Sequence, residues 1–456
     1  MGSATKTAWS EWLVKAISRP ISPKDRERAA LQMVDWMGCS HLGQSTELGD
    51  SLRRWGSRQP VGSIWVCGYT GLYAPDAARW NANLGSVYEM DDVHREAVVH
   101  AGDIVIPAAL AISQRENASA EALLNAVVIG YETAILIGLL SGREHYDHWY
   151  STATTGVFAS AMSSAHLLGL TASETQSALG LAGMQAAGVW QCRLEPGYSK
   201  QFSAGQSAHS GIVAAEMALS GVTGPLAILE GELGWLKATG ASLDVTRAEQ
   251  ILKPDVEHPW RIHEVSFKPW SACRHVHPAI ECGLELHAQG IRPEEIEHIQ
   301  LETYEVAMLF ADNPSPATES EGRFSLQHCL AWALYRGTFD LDATKPEALR
   351  DSGCQRLSAR VAVYLGDEEN AAYPSSFGAK VTVRTFDGRT RSSKVTNVLG
   401  DPESPISEER LFRKARSMIT YGGFTDTYAD AVMNRLLELR STRSLSSLWR
   451  LLMDGH

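Results

Sequence analysis

Two stretches of the chain carry small side chains at helical spacing: Ala153, Gly156, Ala159 and Ser160 in one, and Ala204, Ser207, Ala208, Gly211, Ala214 and Ala215 in the other. Side chains this small on one face let helix axes approach closely, and a helix with such a face sits at the centre of a packed body. The bulk of the protein is therefore expected to be helical. Start signals agree with this. Ser22-Pro23 precedes the run 26–36, Ser119 precedes 123–140, and the capping box Thr171-x-x-Glu174 precedes a segment expected to stay helical through 179–190. The most apolar stretch, 126–140, is interrupted by Tyr131, Glu132 and Thr133 and is too short to span a bilayer, so it reads as a buried helix. Alternating patterns are scarce between about residues 8 and 260.

The period changes further along. Ile299, Leu301 and Thr303 alternate within 297–304, Ala359, Val361 and Val363 alternate within 357–365, and the segments 379–386 and 390–398 flank Asp387-Gly388, a dipeptide suited to a tight hairpin. From Ser407, with Glu408-Glu409 as an acidic first turn, the pattern is helical again. At 456 residues the chain exceeds one ordinary core. The expectation is a mainly α protein: a large all-helical domain beginning in 1–265, a smaller inserted α+β lid domain at 266–398, and helices at 399–456 that return to the first domain. Residues 1–6 are small and polar and are set aside.

With 44% apolar and 21% charged residues, the composition excludes disorder and a coiled-coil rod as descriptions of the whole. A formal charge of -12 argues against nucleic acid or an anionic membrane as partner, because both require a positive field. The seven cysteines are scattered without a CxxC pair, and no charged-then-apolar leader opens the chain, so a reduced, cytoplasmic setting is expected.

Ionisable residues concentrate in four places. The densest is Glu89, Asp91, Asp92, His94, His100 and Asp103, directly before an apolar run, a set suited to general acid/base work; the HxE…H spacing of helix-borne metal sites is absent, and no metal is expected. The segment 143–150, ending in Tyr150, leads into a Thr/Gly-rich helix opening that could receive an anion. Lys200 precedes the second small-residue stretch as a counterion or proton donor. Lys268, Arg274, His275 and His277 form a local positive patch at the domain junction, suited to a carboxylate, with Cys273 among them as a thiol that a neighbouring imidazole would have to activate. There is neither a GxGxxG after a strand nor a GxxxxGK[ST], so a nucleotide has no support.

Taken in order, the segments NANLGSVYEMDDVH, HAGDIVIPAALA, YSTATTGVFASAMSSAHLLGL, GVTGPLAILEGELG, FKPWSACRHVHPAI and GRFSLQHCLAWAL resemble the MmgE/PrpD family, which contains 2-methylcitrate dehydratases, cis-aconitate decarboxylases and an iminodisuccinate epimerase. The resemblance covers most of the chain. It implies a homodimer of large helical domains with α+β lids and a site in the cleft that uses neither metal nor cofactor. His100, Lys200 and His277 match the family's histidine, lysine and histidine at those motifs, Asp91 and Asp92 its acidic pair, and Lys268 and Arg274 its junction cations. Glu89 stands where aspartate is usual, Val93 where threonine is, and Tyr150 and Ser203 where histidines are. The resemblance thus implies His100, Lys200, Tyr150 and Asp91 as catalytic groups and Asp92, Glu89, His94, Lys268, Arg274 and His277 as substrate-binding ones. The activity it implies is a hydro-lyase acting on a small hydroxy di- or tricarboxylate, with a dicarboxylate epimerase or a decarboxylase of a cis-aconitate-like acid as alternatives.

Overall fold

The structure is a computed structural model that describes residues 8–195, 197–242, 244–253 and 258–455; residues 1–6 lie outside these. The protein is mainly helical. It divides into two compact units, one made of the chain up to Val87, Asp91–Val265 and the chain from Ser407 on, the other of Tyr88–Met90 with Ser266–Ile406.

The first unit is built on the two small-residue helices, Ser151–Leu167 and Ser199–Leu219. They lie so close that a Cβ on Gly211 would come within 2.4 Å of Ser160 Cβ. The contact is polar as well as tight: Ser160 Oγ donates to the Ala208 carbonyl and Ser207 Oγ to the Ala153 carbonyl, each at 2.7 Å. These bonds let hydroxyls sit in a core without an unmet donor. Beside them runs Ala120–Tyr146, capped by Ser119, whose side chain accepts from the Ala122 N–H. By length and apolarity this helix could cross a membrane, yet it is buried inside the unit. The helices Pro23–Gly43 and Ala172–Gly183 both open on full capping boxes, Ser22 with Asp25 and Thr171 with Glu174. At the other end of the chain, Ser407 caps Glu408–Tyr421, and Lys414 Nζ meets Asp35 Oδ1 at 2.6 Å, fastening that helix to Pro23–Gly43.

The helical unit departs from the sequence pattern in two places. The helix after Thr171 ends at Gly183 rather than running to Trp190. Its continuation is drawn into other bonds: the Gly188 carbonyl accepts the Tyr150 N–H, and the Trp190 N–H donates to the His148 carbonyl, both at 2.9 Å. A short antiparallel hairpin, β1 (Ile64–Val66) and β2 (Tyr69–Leu72), also interrupts the helical part, turning at Gly68 with φ +68.

The second unit holds a four-stranded sheet of β3 (Ile296–Thr303), β4 (Val361–Leu365), β5 (Ala379–Thr385) and β6 (Thr390–Val395), ordered β4-β3-β5-β6. β4 runs parallel to β3, and the other pairs are antiparallel. Gly388 supplies the positive φ of the β5–β6 turn. Ile299, Leu301, Val381 and Val383 form one core with Ile280, Leu286, Leu330 and Leu334 of the helices His277–Ala288 and Leu326–Arg336. Of the run 357–365 only the last part is strand, because Asp351 accepts the Cys354 N–H and holds Ser352–Ser358 as a helix.

Candidate active site

In the first unit, backbone and side-chain bonds shape the loop leading to His100. The His94 N–H donates to the Val99 carbonyl at 2.9 Å, closing a small loop. His94 Nδ1 accepts the Ala97 N–H, so its proton lies on Nε2, which donates to Glu264 at 3.0 Å. Both ring nitrogens of His94 are thus engaged inside the unit. Burial works to raise the Glu264 carboxyl, but His94 and Arg261 outweigh it and hold it below its usual range.

His100 is presented from the end of this loop. Its backbone N–H donates to Thr152 Oγ1 at 3.1 Å, its Nδ1 lies 2.8 Å from the Asp92 carbonyl oxygen, and the Asp91 carboxylate is 2.6 Å from the same nitrogen. Two acceptors around Nδ1 assign it the proton of the neutral ring, which leaves the lone pair on Nε2. Nε2 has no hydrogen-bond partner among the described residues, and 13% of the side chain is exposed. A neutral imidazole oriented through one nitrogen, with the other open, is placed to take a proton.

Asp92 does different work. Its Oδ1 accepts the Gly102 N–H at 3.1 Å and its Oδ2 the Tyr131 hydroxyl at 2.5 Å, which stitches the loop to the first turn of Gly102–Arg115. Burial pushes its carboxyl up to about 7, against the pull of Tyr131 and Gly102 and with Asp35 and Asp91 adding to the rise.

Tyr150 is the N-cap of Ser151–Leu167, 2% exposed, and its hydroxyl makes no well-formed hydrogen bond. Burial raises the phenol's pKa, with Lys200 opposing and Asp103 and Asp91 adding, so it stays protonated at neutral pH. Lys200, at the opening of Ser199–Leu219, holds its Nζ 5.9 Å from the centre of the Tyr150 ring. The structure therefore gathers Asp91, His100, Tyr150 and Lys200 into one electrostatic cluster.

A fifth member, Asp103, is the last acid of the ionisable run that begins at Glu89. It is fully buried, and neither of its oxygens makes a well-formed hydrogen bond. Burial, with Asp91 next, keeps it in the acid form well above the carboxylate range, while Ser86 and Lys200 work the other way. Room for it comes from Gly85, where a Cβ would sit 2.0 Å from Asp103 Oδ1.

The remaining predicted residues belong to the second unit. Lys268 is fully buried with its Nζ 3.7 Å from Glu89 Oε2, and Glu89 itself takes a left-handed φ of 54°. Arg274 grips Asp401 with Nη2 at 2.8 and 2.7 Å from the two carboxylate oxygens, and Ser266 also donates to Asp401. His277 Nε2 donates to the Ala272 carbonyl at 3.0 Å. His275, whose Nδ1 is 2.7 Å from the Tyr304 hydroxyl, sits among Phe310, Tyr373 and Phe377. Cys273 is buried and its N–H donates to the Arg323 carbonyl. Among the described residues no three His, Cys, Asp or Glu side chains are grouped to hold a metal ion.

Known proteins share this arrangement of segments. The MmgE/PrpD N-terminal domain matches residues 8–247 and the MmgE/PrpD C-terminal domain matches residues 270–439. A cis-aconitate decarboxylase of Aspergillus terreus is 26% identical over 431 residues, covering 88% of this chain and 86% of its own. The cis-aconitate decarboxylase-like protein oryM of Aspergillus oryzae is 24% identical over 470 residues, covering 97% and 95%. The human cis-aconitate decarboxylase is 20% identical over 409 residues, covering 86% and 82%. With both domains matched over most of its length, the chain belongs to the MmgE/PrpD family.

Proposed function

We propose that the chain is a lyase of a small polycarboxylate, in which His100 moves a proton at the carbon next to a carboxylate. The observation that carries this is the open Nε2 of His100 opposite an Nδ1 held between the Asp92 carbonyl and the Asp91 carboxylate. Two bond cleavages suit such a group. In dehydration, His100 Nε2 takes the proton next to the carboxylate, the electron pair forms the double bond, and the hydroxyl leaves with a proton from Lys200 or Tyr150. In decarboxylation, the bond to a carboxylate breaks, carbon dioxide departs, the electron pair stays on carbon, and Tyr150, or His100 once it has taken a proton from water, delivers a proton there. The names of the relatives favour decarboxylation of a cis-aconitate-like acid. Dehydration of a hydroxy acid is the second reading, supported by the neutral, base-ready tautomer. Lys268 is the proposed carboxylate holder, with Glu89, Arg274 and His277 setting the loop that carries it; Asp92 and His94 fix the loop that carries His100. A homodimer in the cytoplasm is proposed with this activity.

Proton NMR in D2O with cis-aconitate, citrate, 2-methylcitrate, malate and iminodisuccinate separates the readings. Loss of cis-aconitate with a new methylene signal supports decarboxylation, and a new vinyl signal from a hydroxy acid supports dehydration. Deuterium uptake next to a carboxylate with no new product would replace both with an epimerase.

A further inference from the structure

A short segment, Tyr88–Met90, packs as part of the second unit, while Val87 and Asp91 on either side of it belong to the first. The second unit holds this segment at three points. Ser271 Oγ donates to the Tyr88 carbonyl at 2.9 Å. The Tyr88 ring, itself buried, lies under the Arg323 guanidinium at 4.5 Å from its centre, and the Lys345 ammonium stands 5.6 Å from the same centre. Lys268 Nζ lies 3.7 Å from the Glu89 carboxylate.

The two cations over the ring are themselves fixed. Glu319 Oε2 is 3.1 Å from Arg323 Nη2 and 3.2 Å from Lys345 Nζ, and the Arg323 carbonyl accepts the Cys273 N–H. Burial works to lower the Lys345 pKa, but Tyr88 and Glu319 outweigh it, so the ammonium stays charged beside the ring. A cation within about 6 Å of an aromatic face attracts it, and cations tied to a carboxylate do not follow a ring that moves. The ring therefore stays where the cations are.

The backbone after Tyr88 shows that the clasp is under load. Glu89 takes a left-handed φ of 54°. A residue with a side chain keeps such a conformation only where its surroundings impose it. Here the clasp on Tyr88 and the Lys268 contact at Glu89 do so. Asp91, whose carboxylate lies 2.6 Å from His100 Nδ1, follows three residues after Tyr88, and three peptide links span at most about 11 Å. With so little chain between them, a displaced Tyr88 moves the carboxylate that orients His100.

We propose that Tyr88 is a positioning residue for His100: clasped by Arg323, Lys345 and Ser271, it fixes the backbone from which Asp91 meets the imidazole. The proposal rests on the lyase function proposed for His100.

The test reads His100 in the full chain. An imidazole proton held between the Asp92 carbonyl and the Asp91 carboxylate gives a low-field proton NMR resonance, which His100→Gln assigns by removing it. Tyr88→Ala should move that resonance upfield and lower kcat roughly 10- to 100-fold with KM within about threefold of wild type, the cost of a small misplacement. Tyr88→Phe, which keeps the ring under Arg323, should return both to near wild-type values. An unmoved resonance in folded Tyr88→Ala would overturn the proposal whatever the turnover, as would a wild-type chain in which His100→Gln removes no low-field resonance. Arg323→Met covers the case in which Tyr88→Ala does not fold: it should shift the same resonance, with Arg323→Lys restoring it, and an unmoved resonance there also overturns the proposal. Turnover is followed on cis-aconitate and the hydroxy acids named above. A shifted resonance in Tyr88→Ala, with no acid turned over by wild type, removes the lyase and leaves the clasp; turnover with an unmoved resonance does the reverse.

Discussion

Around His100 in the helical unit, ionisable side chains are buried with bonding capacity left over, while at the basic motif of the α+β unit Lys268 and Arg274 each stand against a carboxylate. His100 Nε2, the Tyr150 hydroxyl and both Asp103 oxygens lack well-formed partners. Arg274 and Asp401, by contrast, make a two-point buried pair, and Lys268 stands against Glu89. Leaving a buried polar group unmet costs about 1–3 kcal/mol, so a fold tolerates several in one place where they serve a ligand or a reaction. Pairing charges does the opposite work of setting a loop. The difference is the ground on which proton transfer is proposed for the first cluster and scaffolding for Arg274 in the second.

Replacing His100 is the strongest way to break this division. His100→Gln should lower turnover by roughly 10²- to 10⁴-fold with the circular dichroism spectrum unchanged, and activity within a few-fold of wild type would end the role given to it. Arg274→Ala should act on stability instead. It strands the Asp401 carboxylate in a buried site, at a cost of about 3–5 kcal/mol in urea unfolding, and Arg274→Met with Asp401→Leu should recover most of that. A single variant no less stable than wild type would mean the pair does not brace the unit.

The pH dependence of stability sharpens the contrast. Asp92 titrates at about 7 in the folded chain against an ordinary value of 3.8, so between about pH 4 and 7 the folded state holds a proton that the unfolded state has released. Stability is therefore fully present below that window and falls as pH rises through it, on the order of a few kcal/mol, with Asp103 acting in the same sense. Urea midpoints measured from pH 4.5 to 7.5 should decline less for Asp92→Asn than for wild type, and parallel curves would contradict the assignment. The smallest effect on stability is expected at Tyr150. Tyr150→Phe removes a hydroxyl without a well-formed partner, so its melting temperature should stay level or rise while turnover drops roughly tenfold. A clear fall in melting temperature would show that the hydroxyl is structural.

Local chemistry is the legible part of this molecule. The small-residue stripes carry the tight helix pair in their own spacing, the capping boxes at Ser22 and Thr171 need only a few residues each, and Asp387-Gly388 announces its hairpin. What escapes the sequence depends on distant partners. Nothing local to 184–190 says that Gly188 must meet Tyr150, so the pattern alone extends the helix past Gly183. The occupation of His94 by Glu264 and of Arg274 by Asp401 arises across 170 and 127 residues. Asp103 reads like any first-turn acid, and only burial beside Asp91 makes it a held proton.

The glycine at 85 ties two positions into one choice. Because a Cβ there would overlap Asp103 Oδ1 at 2.0 Å and press on Trp36 Nε1 at 2.9 Å, a side chain at 85 would displace the acid at 103, and the acid at 103 demands that 85 stay bare. A library that varies 85 with 103 left as aspartate is therefore expected to return mostly misfits.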